Sequence, residues 1–147
     1  MYKHNDFNKE FLLQPVVQVN QELEAQFIKE ISIIDDGLIK YYKSLNLENP
    51  EFYELSCETL AIGYVKTFTE NQYRLLTEIF IVENFRELGL GTFILNSIRK
   101  IVKNEKIPLR TVTLPSDRIA KNFYEASGIT ARALLMEEKR DKPRFRS

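Results

Sequence analysis

The stretch Val82-Glu83-Asn84-Phe85-Arg86-Glu87-Leu88-Gly89-Leu90-Gly91-Thr92-Phe93-Ile94-Leu95 decides how the chain is read. Before it, Tyr73 to Val82 is dense in Leu, Ile, Phe and Val and predicts a strand. After it, Ile94, Leu95, Ile98, Ile101 and Val102 recur at helical spacing, so an amphipathic helix is expected from about Leu90 to Lys106. Between them stand an arginine and two glycines, Arg86-x-x-Gly89-x-Gly91. The first turn of a helix has unpaired N–H groups and the positive end of the dipole. Glycine lets the backbone curl close to an anion, and arginine adds a fork of donors. The junction therefore suits a phosphate, although the bland alternative is an ordinary strand-to-helix turn. A dinucleotide fingerprint needs G-x-G-x-x-G, which this spacing does not supply. A P-loop needs Gly-Lys-Ser/Thr, and Gly91 is followed by Thr92 and Phe93.

At 147 residues the chain is one domain, long enough to bury a core without staples. Lys plus Arg and Asp plus Glu number 21 each, so net charge argues for neither nucleic acid nor an anionic membrane as partner. No apolar run is long enough to span a membrane, and Met1 to Glu10 lacks the apolar core of a signal peptide, so a cytoplasmic protein is expected. The only histidine is His4, near the end of the chain, and the only cysteine is Cys57. A Ser-His-Asp or Cys-His pair and a Cys/His metal site are thus argued against, and no metal is expected. Cys57 itself reads as core rather than nucleophile. Chemistry is left to carboxylates, tyrosine, lysine and the backbone.

In chain order, Phe11 to Val19, broken by Pro15, predicts a first strand of edge type, since proline cannot donate to a central ladder. Asn20 can cap a helix running to about Ile33. Asp35 or Asp36 can cap a second, with Leu38, Ile39, Tyr42 and Leu45 inside. Phe52 to Cys57, Leu60 to Thr69 and the strand ending at Val82 are joined by short turns, which predicts an antiparallel meander. Leu109 to Leu114 follows the glycine-loop helix as a parallel crossover strand. Asp117 (or Ser116) caps a further helix that stops at Gly128. Thr130 to Glu138 predicts a last strand, and residues 140–147 a loose basic tail.

Two motifs then stand in order. Arg86-x-x-Gly89-x-Gly91 resembles the R/Q-x-x-G-x-G/A pyrophosphate motif of the GNAT superfamily of N-acetyltransferases. Asp117-x-x-Ala120-x-x-Phe123-Tyr124 with Gly128-Ile129 resembles that family's N-x-x-A-x-x-F-Y-x-x-x-G-F signature. The resemblance covers roughly residues 60–139. It implies an α/β (α+β) GNAT-like domain over residues 1–139, with a mixed six- to seven-stranded central sheet and about four helices. It implies an enzyme that moves an acetyl group from acetyl-CoA to a primary amine of a small molecule or peptide. Backbone groups at Ile81 and Val82 would pair with the pantetheine arm. The loop through Arg86, Glu87, Leu88, Gly89, Leu90, Gly91 and Thr92 would line the pyrophosphate site. Asp117 would lie near the pantetheine, Lys121 would reach a CoA phosphate, and Tyr124 would protonate the departing thiolate.

An amine acceptor must lose a proton, and Glu78 lies on the strand entering the loop. Strand periodicity puts it on one face with Leu76, Phe80 and Val82, apolar neighbours that suit a base. A salt-bridged strand residue is the alternative. Departures from the family pattern are Asn84 where proline is common, Glu87 in an anion loop, Asp117 for asparagine and Ile129 for phenylalanine. With the short stretch after Gly128, which leaves an edge suited to a homodimer partner, they support a second reading: a non-catalytic module that binds CoA or a protein partner.

Overall fold

The computed structural model describes residues 1–45, 47–113 and 116–138, and all but the side chains of Leu38 and Tyr42 among them. Leu114, at the end of an expected strand, and the expected tail at 140–147 lie outside the described residues, as do the Leu38 and Tyr42 side chains expected inside the second helix. Six strands form one sheet in chain order: β1 (Tyr2–Asp6), β2 (Lys9–Val16), β3 (Glu51–Cys57), β4 (Leu60–Thr69), β5 (Arg74–Ile81) and β6 (Leu109–Thr111). Pairing is antiparallel from β1 to β5 and parallel between β5 and β6, the expected meander and crossover. The α-helices are α1 (Gln21–Ile34), α2 (Asp36–Ser44), α3 (Leu90–Glu105) and α4 (Arg118–Ala126). Asn20 caps α1 and Asp117 caps α4, as their sequence positions predict.

β4 divides the core into two layers, and Ile62, an extra residue between the Ser56–Ala61 and Leu55–Gly63 pairs, breaks the alternation and joins the layer of Val65. Ile62 and Val65 pack with Ile94, Leu95 and Ile98 of α3 and Tyr124 of α4. Tyr64 and Phe80 pack with Leu23, Phe27 and Ile31 of α1 on the other face. Gly63 is required where β4 and β5 run closest, since a Cβ there would lie 2.5 Å from the Phe80 carbonyl oxygen.

Three expectations need correction. Phe11–Val19 is not the first strand: Met1 is followed by β1, which turns through Phe7 and Asn8, both at positive φ, and pairs with β2. β1 reaches only to Leu13, so Pro15, opposite Tyr53, lies where β2 has a neighbour on one side alone. His4 is accordingly ordered in β1, stacked on Phe93 at 5.0 Å. Second, Thr130–Glu138 forms no strand. Its apolar residues Leu134, Leu135 and Met136 are consecutive rather than alternating, so no single face can be buried, and all three are exposed. Third, Leu76 does not share a face with Glu78. β4 residues Lys66 and Thr67 oppose Glu78 and Leu76, so Thr77 is an extra residue, a β-bulge, and the phase slips there. Leu76 belongs to the α3 layer and Phe80 to the α1 layer.

The lower end of β5 is fixed by Arg74, whose guanidinium is buried. It pairs with Glu51 at 2.8 Å and Glu105 at 2.8 and 3.1 Å, and donates to the Thr67 hydroxyl at 2.9 Å. Its backbone N–H donates to Pro108, which sets where β6 joins. Burial pushes the Glu51 carboxyl up, but bonds from Arg74 and Thr69 outweigh it and hold the group below its ordinary 4.5. Arg74→Met should cost about 2 kcal/mol, less than for a wholly buried pair because both carboxylates remain partly solvated. That is a fall of roughly 4–8 °C in melting temperature. A depressed carboxyl pKa stabilises above its unfolded value and ceases to as pH falls through the folded one. The penalty should therefore shrink below pH 4.5, which thermal melts of both proteins across pH would show.

Candidate active site at a split in the sheet

Among the described residues, β5 and β6 pair at Arg74 with Leu109, Leu75 with Arg110 and Leu76 with Thr111, and no further. β5 runs on to Ile81 with no described residue of β6 paired to it. Val82 N–H donates to the Ile62 carbonyl at 2.9 Å, which sets the phase of the β4–β5 ladder. Alternation then turns the backbone groups of Ile79 and Ile81 toward the open side. An extended chain carrying amides finds there the same partners a strand would. Of the two residues expected to hold such an arm, Ile81 turns its groups to this side, its carbonyl already accepting from Arg86, whereas the N–H of Val82 is engaged with Ile62.

The loop beyond is bent by Glu87 at φ 62° and Gly89 at φ 79°, and α3 begins at Leu90. No side chain caps this helix. The first intrahelical bond runs from Phe93 N–H to the Gly89 carbonyl, so the N–H groups of Leu90, Gly91 and Thr92 precede it, at the positive end of a four-turn helix. Leu88 packs into the core and anchors the loop, and Glu87 is exposed. Gly91 also sits close under α4: a Cβ there would lie 3.2 Å from the Phe123 ring, which would have to give by a few tenths of an ångström. The two sequence motifs thus meet edge to edge.

The Arg86 guanidinium does not present a free charge to this loop. Nε donates to the Ile81 carbonyl at 2.7 Å, Nη2 pairs with Glu30 at 2.6 Å, and the group lies 5.4 Å from the Phe80 ring centre. It braces the loop against α1. Lys121 is likewise engaged, with Glu125 one turn on at 2.8 Å, on the exposed side of α4.

Asp117 is buried, and its carboxylate accepts from Ala120 N–H at 3.2 Å. Burial pushes its pKa up, and the Ala120 bond only partly offsets this. Asp117→Asn keeps a capping oxygen and removes the buried charge. A raised carboxyl pKa means stability is lost as pH rises through the window above the unfolded value of 3.8. The variant should therefore melt higher than the parent at pH 7 and no higher at pH 3, which paired melts would check.

Tyr124 is buried beside Asp117, and its hydroxyl is hydrogen-bonded to the Thr111 hydroxyl. Thr111 donates onward to the Leu76 carbonyl at 3.0 Å, on the last rung of the β5–β6 pairing. Burial pushes the phenol up to about 12; the Thr111 bond pulls down and the Asp117 charge pushes up. Tyr124 therefore stays a neutral donor at the point where the strands part.

Glu78 lies on the opposite face, two residues past Leu76, about 7 Å along the strand. Its surroundings are not purely apolar. Oε1 accepts from the Tyr64 hydroxyl at 3.1 Å, and Oε2 lies 3.2 Å from the Lys66 ammonium. Sequence reasoning missed Tyr64, Lys66, Thr111 and Glu30. Lys66 was within reach, since the Lys66–Glu78 pairing follows once the bulge is known. The Arg86–Glu30 contact joins residues far apart in the chain and carries no local signal. Ser116, through Oγ, donates to Asp35 at 3.1 Å, and Asp35 also accepts from Gly37 N–H at 2.8 Å. One carboxylate thereby ties the α1–α2 corner to the segment that leads into α4.

A family model described as acetyltransferase (GNAT) domain matches residues 19–139. No curated protein sequence matches. Among solved structures, the aminoglycoside N-acetyltransferase AAC(6')-Iy in complex with CoA is 13% identical, covers 91% of this chain and 97% of its own, and has a TM-score of 0.61. A ribosomal-protein-alanine N-acetyltransferase from Brucella melitensis biovar Abortus 2308 is 10% identical, covers 88% and 98%, and has a TM-score of 0.65. An aminoglycoside acetyltransferase from an uncultured soil metagenomic sample, in complex with trehalose, is 13% identical, covers 90% and 97%, and has a TM-score of 0.62. At such identities the likeness is one of fold.

Proposed function

The chain belongs to the GNAT acetyltransferase family, and on that premise we propose that it transfers an acetyl group from acetyl-CoA directly to a primary amine of a small molecule or peptide. The observation that carries this reading is the split itself. An opening with backbone donors and acceptors on one edge has a neutral phenol, Tyr124, on one face and a carboxylate, Glu78, on the other. The residues fit the cosubstrate. The backbone of Ile79 and Ile81 suits an amide-bearing arm, and the uncapped N-terminus of α3 suits a diphosphate. Acetyl-CoA supplies an activated acyl group and a thiol leaving group.

The chain's own residues then divide the work. Glu78 takes a proton from the acceptor ammonium. Tyr124 donates its hydroxyl hydrogen to the sulfur as charge develops there. A phenol at about 12 is a weak acid, so holding that charge counts as much as passing the proton. The buried Leu90 side chain and the close approach of Gly91 to Phe123 fix the loop against α4, so that the two motifs keep their spacing. Supply of acetyl-CoA, with the lone buried Cys57, favours the cytoplasm as its location.

One observation favours the competing reading, a module that holds CoA without chemistry: both oxygens of Glu78 are engaged. Incubation with acetyl-CoA and a panel of primary amines, diamines, amino sugars and peptides separates the two. Thiol release matched by amide product in the mass spectrum is expected for at least one class. Tight acetyl-CoA binding with no product from any amine would favour the module, and no binding would remove both readings.

A further inference from the structure

Lys66 is a half-buried lysine on the middle of a central strand, and its ammonium has unusual company. It lies 3.2 Å from Glu78 Oε2, 5.8 Å from the Phe52 ring centre and 5.7 Å from that of Phe68. The Glu78 side chain is 12% exposed and that of Lys66 25%, so the pair is sheltered but within reach of solvent. Tyr64 holds the other carboxylate oxygen and is itself packed against Phe27 and Phe80. Together these groups make a receptor for an alkylammonium: one carboxylate oxygen and two phenyl rings.

Resting on the acetyl-transfer reading, we infer that Lys66 occupies the position of the acceptor's ammonium, and that the acceptor is an unhindered primary alkylammonium which displaces Lys66 from Glu78. Three points carry this. Glu78 is directly opposite Lys66 in register and borders the stretch of β5 that β6 leaves open, so the ammonium site adjoins the split. An exchange of one ammonium for another never leaves Glu78 buried and unpaired, which is the costly state. The freed Lys66 head, on a flexible stem, passes to solvent. The flanking groups also set the class. Hydroxyls beside the amine, as on an amino sugar, would meet two phenyl rings and lose their partners, whereas methylenes would not.

The chemistry balances. Glu78 takes one proton from the ammonium and passes it to solvent. The N–C bond forms as the C–S bond breaks, the nitrogen gives up a second proton, and the sulfur takes one from Tyr124, which the second proton replaces. An ammonium and a thioester become an amide, a thiol and one released proton.

The test uses Lys66→Ala, with n-butylammonium as the probe. Millimolar n-butylammonium chloride should raise the melting temperature of this variant above that seen with equal sodium chloride. The rise should be smaller for the parent, where Lys66 competes for Glu78, and absent for Lys66→Ala/Glu78→Gln. With acetyl-CoA present, Lys66→Ala should form N-butylacetamide at a kcat/KM roughly tenfold or more above the parent's, a methylene-scale pocket effect. Lys66→Arg, whose guanidinium grips a carboxylate at two points, should raise KM for the amine and leave KM for acetyl-CoA unchanged. If Lys66→Ala fails to fold, Lys66→Met with the same probe serves. A melting response equal in all proteins, or a variant no faster than the parent, overturns the inference. In that case product from other amines would leave the acetyl-transfer reading standing. A selective melting response with no product from any amine would remove both.

Discussion

Gly89→Glu is expected to weaken acetyl-CoA binding by at least ~100-fold, about 2.7 kcal/mol or more, in a calorimetric titration. Gly89 closes the loop at φ 79°, and no atom lies within 4 Å of where its Cβ would be. A glutamate there meets no steric wall. It pays instead for the left-handed backbone, about 1–2 kcal/mol, and projects a carboxylate into the space in front of the α3 N-terminus. That space draws its affinity for anions from unpaired N–H groups and the helix dipole, so a fixed negative charge competes with the diphosphate for the same donors. Gly89→Asn is the control. Asparagine tolerates the left-handed region and carries no charge, so its loss should be only a few-fold. Two variants that bind like the parent would show that the phosphates lie elsewhere.

Tyr124→Phe should lower kcat by roughly 100- to 1,000-fold and leave the dissociation constant of acetyl-CoA nearly unchanged. The ring fills the same space beside Phe123, so the core is kept, and Thr111 retains its bond to the Leu76 carbonyl. What is lost is the phenol hydroxyl held at the split. With its pKa raised to about 12, the phenol keeps its proton throughout the working range, so kcat should show no falling limb from Tyr124 below about pH 11. The same shift has a stability sign. A phenol whose folded pKa exceeds its unfolded 10.0 loses its stabilising contribution as pH rises past 10, and the parent should soften there more than Tyr124→Phe does. A variant with the parent's kcat would place the proton donor elsewhere.

The helices were legible because their ends are written locally. Asn20 and Asp117 cap, Gly128 stops, and the apolar spacing of α3 needs no distant information. The antiparallel meander followed from short turns. The N-terminal strand was missed because Tyr2–Asp6 is polar: an edge strand whose outer side faces water has little reason to alternate. Thr130–Glu138 erred in the other direction, apolar content being mistaken for a strand. Both site motifs could be found, and their meeting at Gly91 and Phe123 follows the expected order of elements. The partners of the charged groups could not be found. Glu30 for Arg86 and Thr111 for Tyr124 are set by how helices lie on the sheet, which no local pattern encodes. Glu78 does lie on the strand that enters the loop, but its face was argued from a regular alternation that Thr77 breaks.

That surplus residue bears on how such a cleft arises. Bulges bend a strand and increase its twist, and this one sits one step beyond the last rung shared by β5 and β6, with its own hydroxyl turned to the Lys66 carbonyl. Remove Thr77, and Leu76 and Glu78 become neighbours on opposite faces, where they already are. Every side chain keeps its layer, and only the curvature is lost. A straight ladder of the same residues could go on pairing with β6 and would enclose nothing. One extra residue, set in without moving any core residue to the wrong side, bends β5 at the step where its shared rungs with β6 end.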